Sequence, residues 1–199
     1  MTGSKIIAIS NQKGGVGKTT TCTNLAAALG LHEKKVLVVD MDPQANTSSS
    51  LRFPDAEVTI YDVLLNKVSV REAIKKTEED NVWLIPSNKS LVGGETEFRE
   101  IEEWQFLLKR ALEEIEGFDY VLIDTPPSLG TLTIMSLVAA DSVLVPVQCE
   151  YYALEGLTQL MKTIVLVRNS YNPKLKIEGL LLTMYDKRLN LSKQIEEEV

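Results

Sequence analysis

A glycine-rich segment that follows an apolar run constrains this chain more than any other feature of its sequence. Residues 5–10 read KIIAIS, and residues 13–20 read KGGVGKTT. A strand that enters a glycine-rich turn and then a helix binds phosphate, because the backbone N–H groups curl inward and the helix N-terminus adds a positive dipole. In such a loop Lys18 reaches the terminal phosphates, and the Thr19 hydroxyl can be a ligand of Mg²⁺. The residues assigned to phosphate binding are Lys13, Gly14, Gly15, Val16, Gly17, Lys18, Thr19 and Thr20.

The segment departs from the ordinary phosphate-loop pattern at its first residues. That pattern has a glycine five residues before Gly17, where this chain has Gln12, and a second lysine, Lys13, follows. A lysine at the start of the loop points away from its own helix end, so it is poorly placed as one more phosphate donor. It can reach a phosphate bound by a neighbouring subunit, as an arginine finger supplied in trans does. We therefore interpret Lys13 as acting across a dimer, with a solvated surface lysine as the alternative.

Two further apolar runs end in aspartate. The run at 36–40 ends in Asp40 and is followed by Asp42, and the run at 120–124 ends in Asp124. Such runs predict strands buried on both faces of a parallel sheet, and open α/β sheets bind ligands at the carboxyl ends of their strands. Asp124 fits the Walker B position, whose carboxylate holds magnesium directly or through water. An isolated strand-end aspartate is usually a loop cap, but a pair beside a phosphate loop favours a catalytic use.

Strands and helices alternate along the chain, which predicts an α/β fold with a doubly wound, largely parallel sheet flanked by helices. Together with the glycine-rich phosphate loop, this pattern indicates a P-loop NTPase fold. The length of 199 residues suits one sizeable core, and no stretch reaches the ~18 uninterrupted apolar residues of a membrane span. The expected strands are 5–10, 36–40, 82–85, 119–124, 142–147 and 176–184. The expected helices are 18–32, 58–66, 69–77, 96–116, 131–140, 152–170 and 190–199. Irregular connections are expected at 44–57 and 86–95, and the polar run at 44–50 is expected near the nucleotide or the dimer face.

Three blocks of sequence together point to one family. The segment at 13–19, the sequence DPQAN at 42–46 and the block at 139–156 resemble the ParA/Soj branch of the ParA/MinD class, whose deviant Walker A motif carries the second lysine. The resemblance extends from about residue 5 to the last residue. It implies an ATP-dependent homodimer that sandwiches two ATP molecules and Mg²⁺, with Lys13 crossing the interface.

The resemblance also implies roles for the residues at the strand ends. The aspartate before the proline, Asp42, positions or activates the water that attacks the γ-phosphate, and Asp40 supports it. We therefore assign catalysis to Lys13, Lys18 and Asp42. We assign Mg²⁺ binding to Thr19, Asp42 and Asp124.

Proteins of this family continue for several tens of residues beyond the point where this sequence stops. The additional segment contains a strand and helices that help to form the adenine pocket. We therefore expect 1–199 to be a single deviant Walker A ATPase domain that lacks the family's C-terminal strand and helices.

Charge is unevenly distributed along the chain. The net charge of −7 argues against DNA binding by the whole surface. Residues 162–193, however, carry a net charge of +5, against −12 for the rest of the chain. Such a basic stripe suits contacts to a phosphate backbone without sequence readout, with a solvated helix face as the alternative. The family's non-specific DNA binding uses basic residues in this half, and the candidates here are Lys187, Arg188 and Lys193.

Two classes of function compete. In the first, implied by the resemblance, the ATP-bound dimer binds nucleoid DNA, and a ParB-like centromere-binding adaptor stimulates slow hydrolysis. Such a protein is cytoplasmic, associated with the nucleoid, and segregates chromosomes or plasmids. The second class is a metabolic ATPase or ligase, such as the dethiobiotin-synthetase or amidotransferase relatives, which needs a substrate pocket that no residues here indicate.

A MinD-like membrane positioner ends in a basic amphipathic helix, whereas this sequence ends with acidic residues at 196–198. An iron–sulfur reductase needs spaced cluster cysteines, which are absent. The sequence therefore predicts the partitioning switch.

Overall fold

Seven strands form one sheet in the computed structural model, which describes residues 3–150, 153–189 and 192. The strands are β1 (Lys5–Ile9), β2 (Val36–Asp40), β3 (Lys75–Lys76), β4 (Val82–Ile85), β5 (Tyr120–Asp124), β6 (Ser142–Gln148) and β7 (Lys176–Thr183). Their order is β3-β4-β2-β5-β1-β6-β7, and every neighbouring pair is parallel except β3 and β4. The predicted fold class is confirmed.

Eight α-helices surround the sheet in the described part of the chain. They are α1 (Lys18–Leu31), α2 (Asn46–Ser50), α3 (Ile60–Leu64), α4 (Val70–Ala73), α5 (Ser90–Arg99), α6 (Leu107–Glu113), α7 (Thr131–Ala139) and α8 (Ala153–Ser170). A short 3₁₀ helix, Trp104–Phe106, precedes α6. None of the helices in these described ranges is long and apolar enough to cross a membrane.

The sheet is buried on both faces, and this explains its apolar strands. Along β2, Val36 and Val38 pack into the core that contains residues of α1, whereas Leu37 and Val39 pack into the core formed with α3 and α5–α8. All five β2 residues are buried. Burying each such side chain contributes roughly 1.5–3 kcal/mol, so a strand with both faces covered needs an unbroken apolar run.

The strand order brings three carboxyl ends together. In the parallel register, Asp124 at the end of β5 lies opposite Ile9 of β1 on one side and opposite Asp40 of β2 on the other. The loop after β1 therefore begins beside Asp124, with Asp40 one strand further along the same edge, although 115 residues separate Ile9 from Asp124 along the chain. This edge of the sheet is where an open α/β sheet binds its ligand.

The predicted helix at 96–116 is wrong, because the chain turns within it. Helix α5 ends at Arg99, and α6 begins only at Leu107. Between them Glu103 has a φ of 55°, a left-handed conformation that interrupts an α-helix. The break lets Phe98 and Leu108, on its two sides, both be fully buried.

The irregular connections predicted at 44–57 and 86–95 are partly helical. The first contains α2, and α5 begins at Ser90 within the second. Within α5, Gly94 allows close packing between side chains and the helix. A Cβ there would lie 2.8 Å from the Phe98 ring and 2.9 Å from the Tyr61 ring.

Two other predicted helices are shorter in the structure. The helix expected at 58–66 spans Ile60–Leu64, and the one expected at 69–77 ends at Ala73. After it, Lys75–Lys76 forms β3, antiparallel to β4, which the lysine pair did not indicate. The helix expected at 190–199 lies outside the described residues except for position 192.

Candidate nucleotide-binding site

The loop between β1 and α1 has the backbone of a phosphate cradle. Gly15 and Gly17 adopt φ values of 75° and 88°, a left-handed region that favours glycine. Gly17 is the N-cap of α1, and no side chain of the described residues caps that helix end. The first N–H groups of α1 are therefore free of side-chain acceptors, as an anion site at a helix N-terminus requires.

Lys18 lies against the loop that it follows. Its ammonium donates a hydrogen bond to the Lys13 carbonyl at 2.9 Å, and the residue is largely buried. Burial lowers the pKa of Lys18 below its ordinary value, although Asp124 and Asp42 act in the opposite direction. A partly desolvated cation held at the loop is well suited to bind phosphate oxygens.

Asp124 provides an oxygen that fits a magnesium site. Its Oδ2 accepts hydrogen bonds from the hydroxyls of Thr19, at 2.8 Å, and Thr47, at 2.7 Å. Its Oδ1 is buried and has no hydrogen-bond partner among the described residues. Burial raises the pKa of this carboxyl, and the two threonine hydroxyls oppose the shift. A buried acceptor without a partner beside a threonine hydroxyl is the donor set that Mg²⁺ prefers, directly or through water.

Asp42, and not Asp40, faces the open cavity at this edge of the sheet. The cavity has a volume of about 350 Å³. Asp42 Oδ1 accepts a hydrogen bond from the Gln44 N–H at 2.9 Å. Asp40 is fully buried beneath it, and burial raises the pKa of Asp40 to about 7. The cavity is lined by Gly14, Gly15, Gly17, Lys18, Thr19, Thr20, Asp42, Gln44, Asn46, Pro127 and Met184.

Lys13 is oriented away from this cavity. Its ammonium forms an ion pair with Glu150, which follows β6, and its N–H donates to Asn11 Oδ1 at 3.0 Å. Asn11 in turn donates to the Pro146 carbonyl at 2.7 Å. The start of the loop is thus tied to the β6 side of the sheet, and the Lys13 side chain is not part of the cavity lining.

Two contacts at the loop have no signal in the sequence. Val16, which was assigned to phosphate binding, is buried, and its carbonyl accepts a hydrogen bond from the Thr183 hydroxyl at 2.9 Å. Thr183 ends β7, and Met184 after it lines the cavity. Thr183 is the last residue of an ordinary apolar strand and Met184 is the next residue, so only the position of β7 brings them to the site.

The polar residues at 44–50, which were predicted to lie near the nucleotide or the dimer face, point in two directions. Gln44 and Asn46 line the cavity. Thr47 and Ser48 are instead fully buried and donate hydrogen bonds to Asp124 and Asp40.

The basic stripe predicted at 162–193 does not form a single patch among its described members. Lys174 and Lys176 lie at the start of β7, together with Arg168, around a cavity of about 490 Å³. Lys187 and Arg188 follow the other end of β7, about 25 Å away for an eight-residue strand. There Arg188 is paired with Asp186 at 2.6 Å. The third DNA-binding candidate, Lys193, lies outside the described residues.

Comparisons with known proteins agree on one group. The family described as AAA domain matches residues 4–177. The chromosome partitioning protein ParA of Myxococcus xanthus is 51% identical over 198 residues, which are 98% of this chain and 70% of that protein. The sporulation initiation inhibitor protein Soj of Bacillus subtilis is 52% identical over 98% of this chain and 78% of its own length.

Solved structures show the same architecture. A cobyrinic acid a,c-diamide synthase from Mycobacterium smegmatis, with a bound ATP analog and magnesium, superposes with a TM-score of 0.94 at 42% identity. That match covers 98% of this chain and 81% of the other. A plasmid partition protein from Borrelia burgdorferi superposes with a TM-score of 0.85 at 33% identity, over 98% of this chain and 85% of that one.

Proposed function

Because this chain belongs to the ParA/Soj family of chromosome-partitioning ATPases, we propose that it is an ATP-dependent dimerising switch with slow ATPase activity. In this proposal the ATP-bound dimer binds DNA non-specifically on the nucleoid in the cytoplasm. A ParB-like adaptor then stimulates hydrolysis, which releases the dimer and moves chromosomes or plasmids. The observation that carries the proposal is the position of Lys13, a loop lysine whose side chain faces away from its own cavity.

The residues of the cavity have distinct roles in this function. Lys18 and the loop N–H groups bind the phosphates of ATP in this proposal. The superposed M. smegmatis protein holds an ATP analog, which is consistent with a nucleotide ligand. Thr19, Asp42 and Asp124 would hold Mg²⁺, which when bound neutralises charge on the β- and γ-phosphates. Asp42 reaches the cavity from β2 and orients the attacking water, either as a general base or by hydrogen bonding.

Dimerisation follows from the charge that two nucleotides bring together. Two bound ATP molecules that face each other across an interface repel, so each requires a cation from the opposite subunit. Lys13 supplies that cation when it leaves Glu150, an ion pair whose two side chains are about a third exposed. A pair this accessible to solvent contributes little stability, so its rupture is a small obstacle to dimer closure.

A second candidate is an ATP-dependent amide-forming ligase, because one superposed structure is a cobyrinic acid a,c-diamide synthase. We favour the switch, since the partitioning proteins are 51% and 52% identical to this chain and the synthase is 42% identical. Turnover assays separate the two functions. The switch is stimulated by DNA with a cognate adaptor, whereas a ligase requires a carboxylate acceptor and glutamine or ammonia.

The deciding experiment compares two lysines of the loop. We expect Lys18→Ala to lose most ATP binding, measured by calorimetry, because it removes the ammonium at the cradle. Lys13→Ala should bind ATP within about twofold of the wild type, since Lys18 and the loop amides remain, but should stay monomeric in analytical ultracentrifugation with ATP. Lys34→Ala, at an exposed position after α1, is the control and should behave as wild type.

Two results would contradict the proposal. If Lys13→Ala dimerises with ATP as the wild type does, the lysine is a surface residue and the trans mechanism is wrong. If the hydrolysis-blocked variant Asp42→Ala, with Lys13 intact, remains monomeric with ATP, the chain is not an ATP-dependent dimerising switch.

A further inference from the structure

Three buried polar side chains form a connected hydrogen-bond network behind Asp42. The Ser48 hydroxyl donates to Asp40 Oδ2 at 2.6 Å, and the Ser87 N–H donates to that same hydroxyl oxygen at 2.9 Å. The Ser48 N–H also donates to Asp40 Oδ2, at 2.8 Å. Asp40, Ser48 and Ser87 are all fully buried. The network therefore connects the end of β2, the start of α2 and the segment after β4.

The network holds the backbone of Asp42 at both of its peptide groups. The Asp42 N–H donates to Asp40 Oδ1 at 3.0 Å. The Asp42 carbonyl accepts from the Ser87 hydroxyl at 2.7 Å and, within its own loop, from the Ala45 N–H at 2.9 Å. The backbone that carries the Asp42 carboxylate is thus fixed on one side by its own strand and on the other by Ser87.

The Ser87 contact matters because, among the described residues, it is the hydrogen bond that ties the Asp42 carbonyl to a different segment of the chain. The only hydrogen bond to the Asp42 carboxylate from the described residues is the one from the Gln44 N–H. Three residues beyond Asp42, Ala45 adopts a φ of 53°, a left-handed conformation that a side chain disfavours. A loop with such a residue keeps its shape only where surrounding contacts determine it.

We propose that Ser87 is a positioning residue for hydrolysis, which holds the Asp42 backbone so that its carboxylate is aimed at the attacking water. Ser87 does not line the cavity, and its hydroxyl contacts the site through the Asp42 carbonyl. This inference rests on the proposed ATPase function. It gives the segment after β4, which sequence analysis treated as an irregular connection, a part in the reaction.

The test is Ser87→Ala, which removes the donor that reaches the Asp42 carbonyl from outside its loop and leaves the rest of the network in place. We expect kcat for ATP hydrolysis to fall at least about tenfold, since an ångström-scale misplacement of a catalytic group can cost about a hundredfold. The Kd for ATP and the ATP-dependent dimerisation should stay within about twofold of the wild type, because the phosphate loop is unchanged. Ser87→Cys, which keeps a weak donor of similar shape, should have an intermediate kcat.

Ser136→Ala is the matched control. Ser136 is equally buried, and its hydroxyl donates to a backbone carbonyl, that of Leu132 within α7, at 2.7 Å. We expect the two alanine variants to lose similar thermal stability, but only Ser87→Ala to lose kcat. That result would support positioning over a general structural defect.

A double mutant separates action through Asp42 from any other action. In an Asp42→Ala background, Ser87→Ala should cause no further loss of the residual hydrolysis rate, because the group that Ser87 positions is gone. A further loss as large as that in the wild-type background would overturn the inference, as would a wild-type kcat in Ser87→Ala. If the wild type itself does not hydrolyse ATP, the proposed function fails instead, so the two failures are distinguishable.

Discussion

At the scale of single residues, the site buries a carboxyl group whose ionisation opposes folding. Burial raises the pKa of Asp40 to about 7 in the folded chain, from an ordinary value of 3.8. The folded state therefore holds this proton more tightly than the unfolded state does. Stability is greatest at pH values below the ordinary pKa and is lost as the pH rises towards the folded pKa.

This difference predicts the pH dependence of stability for the protein without nucleotide or Mg²⁺. From pH 5.5 to pH 8 the free energy of unfolding should fall by about 2 kcal/mol through Asp40. The side chain of Asp40→Asn does not titrate, so this part of the fall in the free energy of unfolding should disappear in that variant. Asp124, whose pKa is also raised, continues to contribute. Urea titrations at the two pH values and constant ionic strength measure the difference. An equal fall in both proteins would show that Asp40 is already ionised at pH 5.5.

The residues of the site differ in how far the sequence could predict them. The neighbourhood of Lys18, Thr19 and Asp124 follows from a local loop pattern and from the register of parallel strands, and the structure brings all three together. Ser87 and Thr183 had no such pattern. Each contacts the site through a hydrogen bond that spans 45 or 167 residues of chain, so their role depends on strand order and not on local sequence.

At the scale of elements, the strands were predicted to within one residue at each end, except for β3. Their apolar runs are a direct consequence of burial on both faces. The helices were less predictable, because each needs only one apolar face, and its ends depend on residues such as Glu103 whose left-handed conformation serves the tertiary packing. Glycines are the most ambiguous, since they mark either a loop or a close approach between packed elements.

In helix α1, Gly30 allows a close approach between packed elements. A Cβ at Gly30 would lie 2.0 Å from the Asp80 carbonyl oxygen and 3.1 Å from a methyl group of Val82. We therefore expect Gly30→Ala to lower the free energy of unfolding by about 2 kcal/mol or more, despite the higher helix propensity of alanine. Gly93→Ala in α5 is the control, because no atom lies within 4 Å of its Cβ position. It should raise stability by about 0.4–1 kcal/mol. Chemical denaturation measures the free energy of unfolding of both variants. If Gly30→Ala loses no stability, α1 moves freely to accommodate the methyl group.

At the scale of the whole molecule, an acidic body with a net charge of −7 carries separated basic groups at the two ends of β7. The proposed DNA surface uses the end that carries Lys187 and Arg188. Charge reversal of both residues should weaken ATP-dependent binding equally for DNA of any sequence. It should also reduce the slope of log K against log salt by about 2, because about two fewer counterions are released.

The opposite end of β7 supplies the control for this prediction. Lys174→Glu combined with Lys176→Glu changes the charge by the same amount at the start of the strand, and nucleotide binding should survive in both double variants. Fluorescence anisotropy at several salt concentrations compares them. If the change at 174 and 176 weakens DNA binding and the one at 187 and 188 does not, the DNA surface lies at the other end of the sheet.

The position of β5 has a consequence for the order in which the chain can fold. This strand lies between β1 and β2, so those two strands never pair with each other, and the first 85 residues contain no complete core of the sheet. Contacts of such high sequence separation form slowly, because loop closure must precede them. Thr19 acquires its contact with Asp124 only when β5 has inserted between its neighbours. A growing chain therefore lacks the proposed magnesium site until β5 has been synthesised, and the capacity to bind nucleotide arises as a property of the assembled sheet.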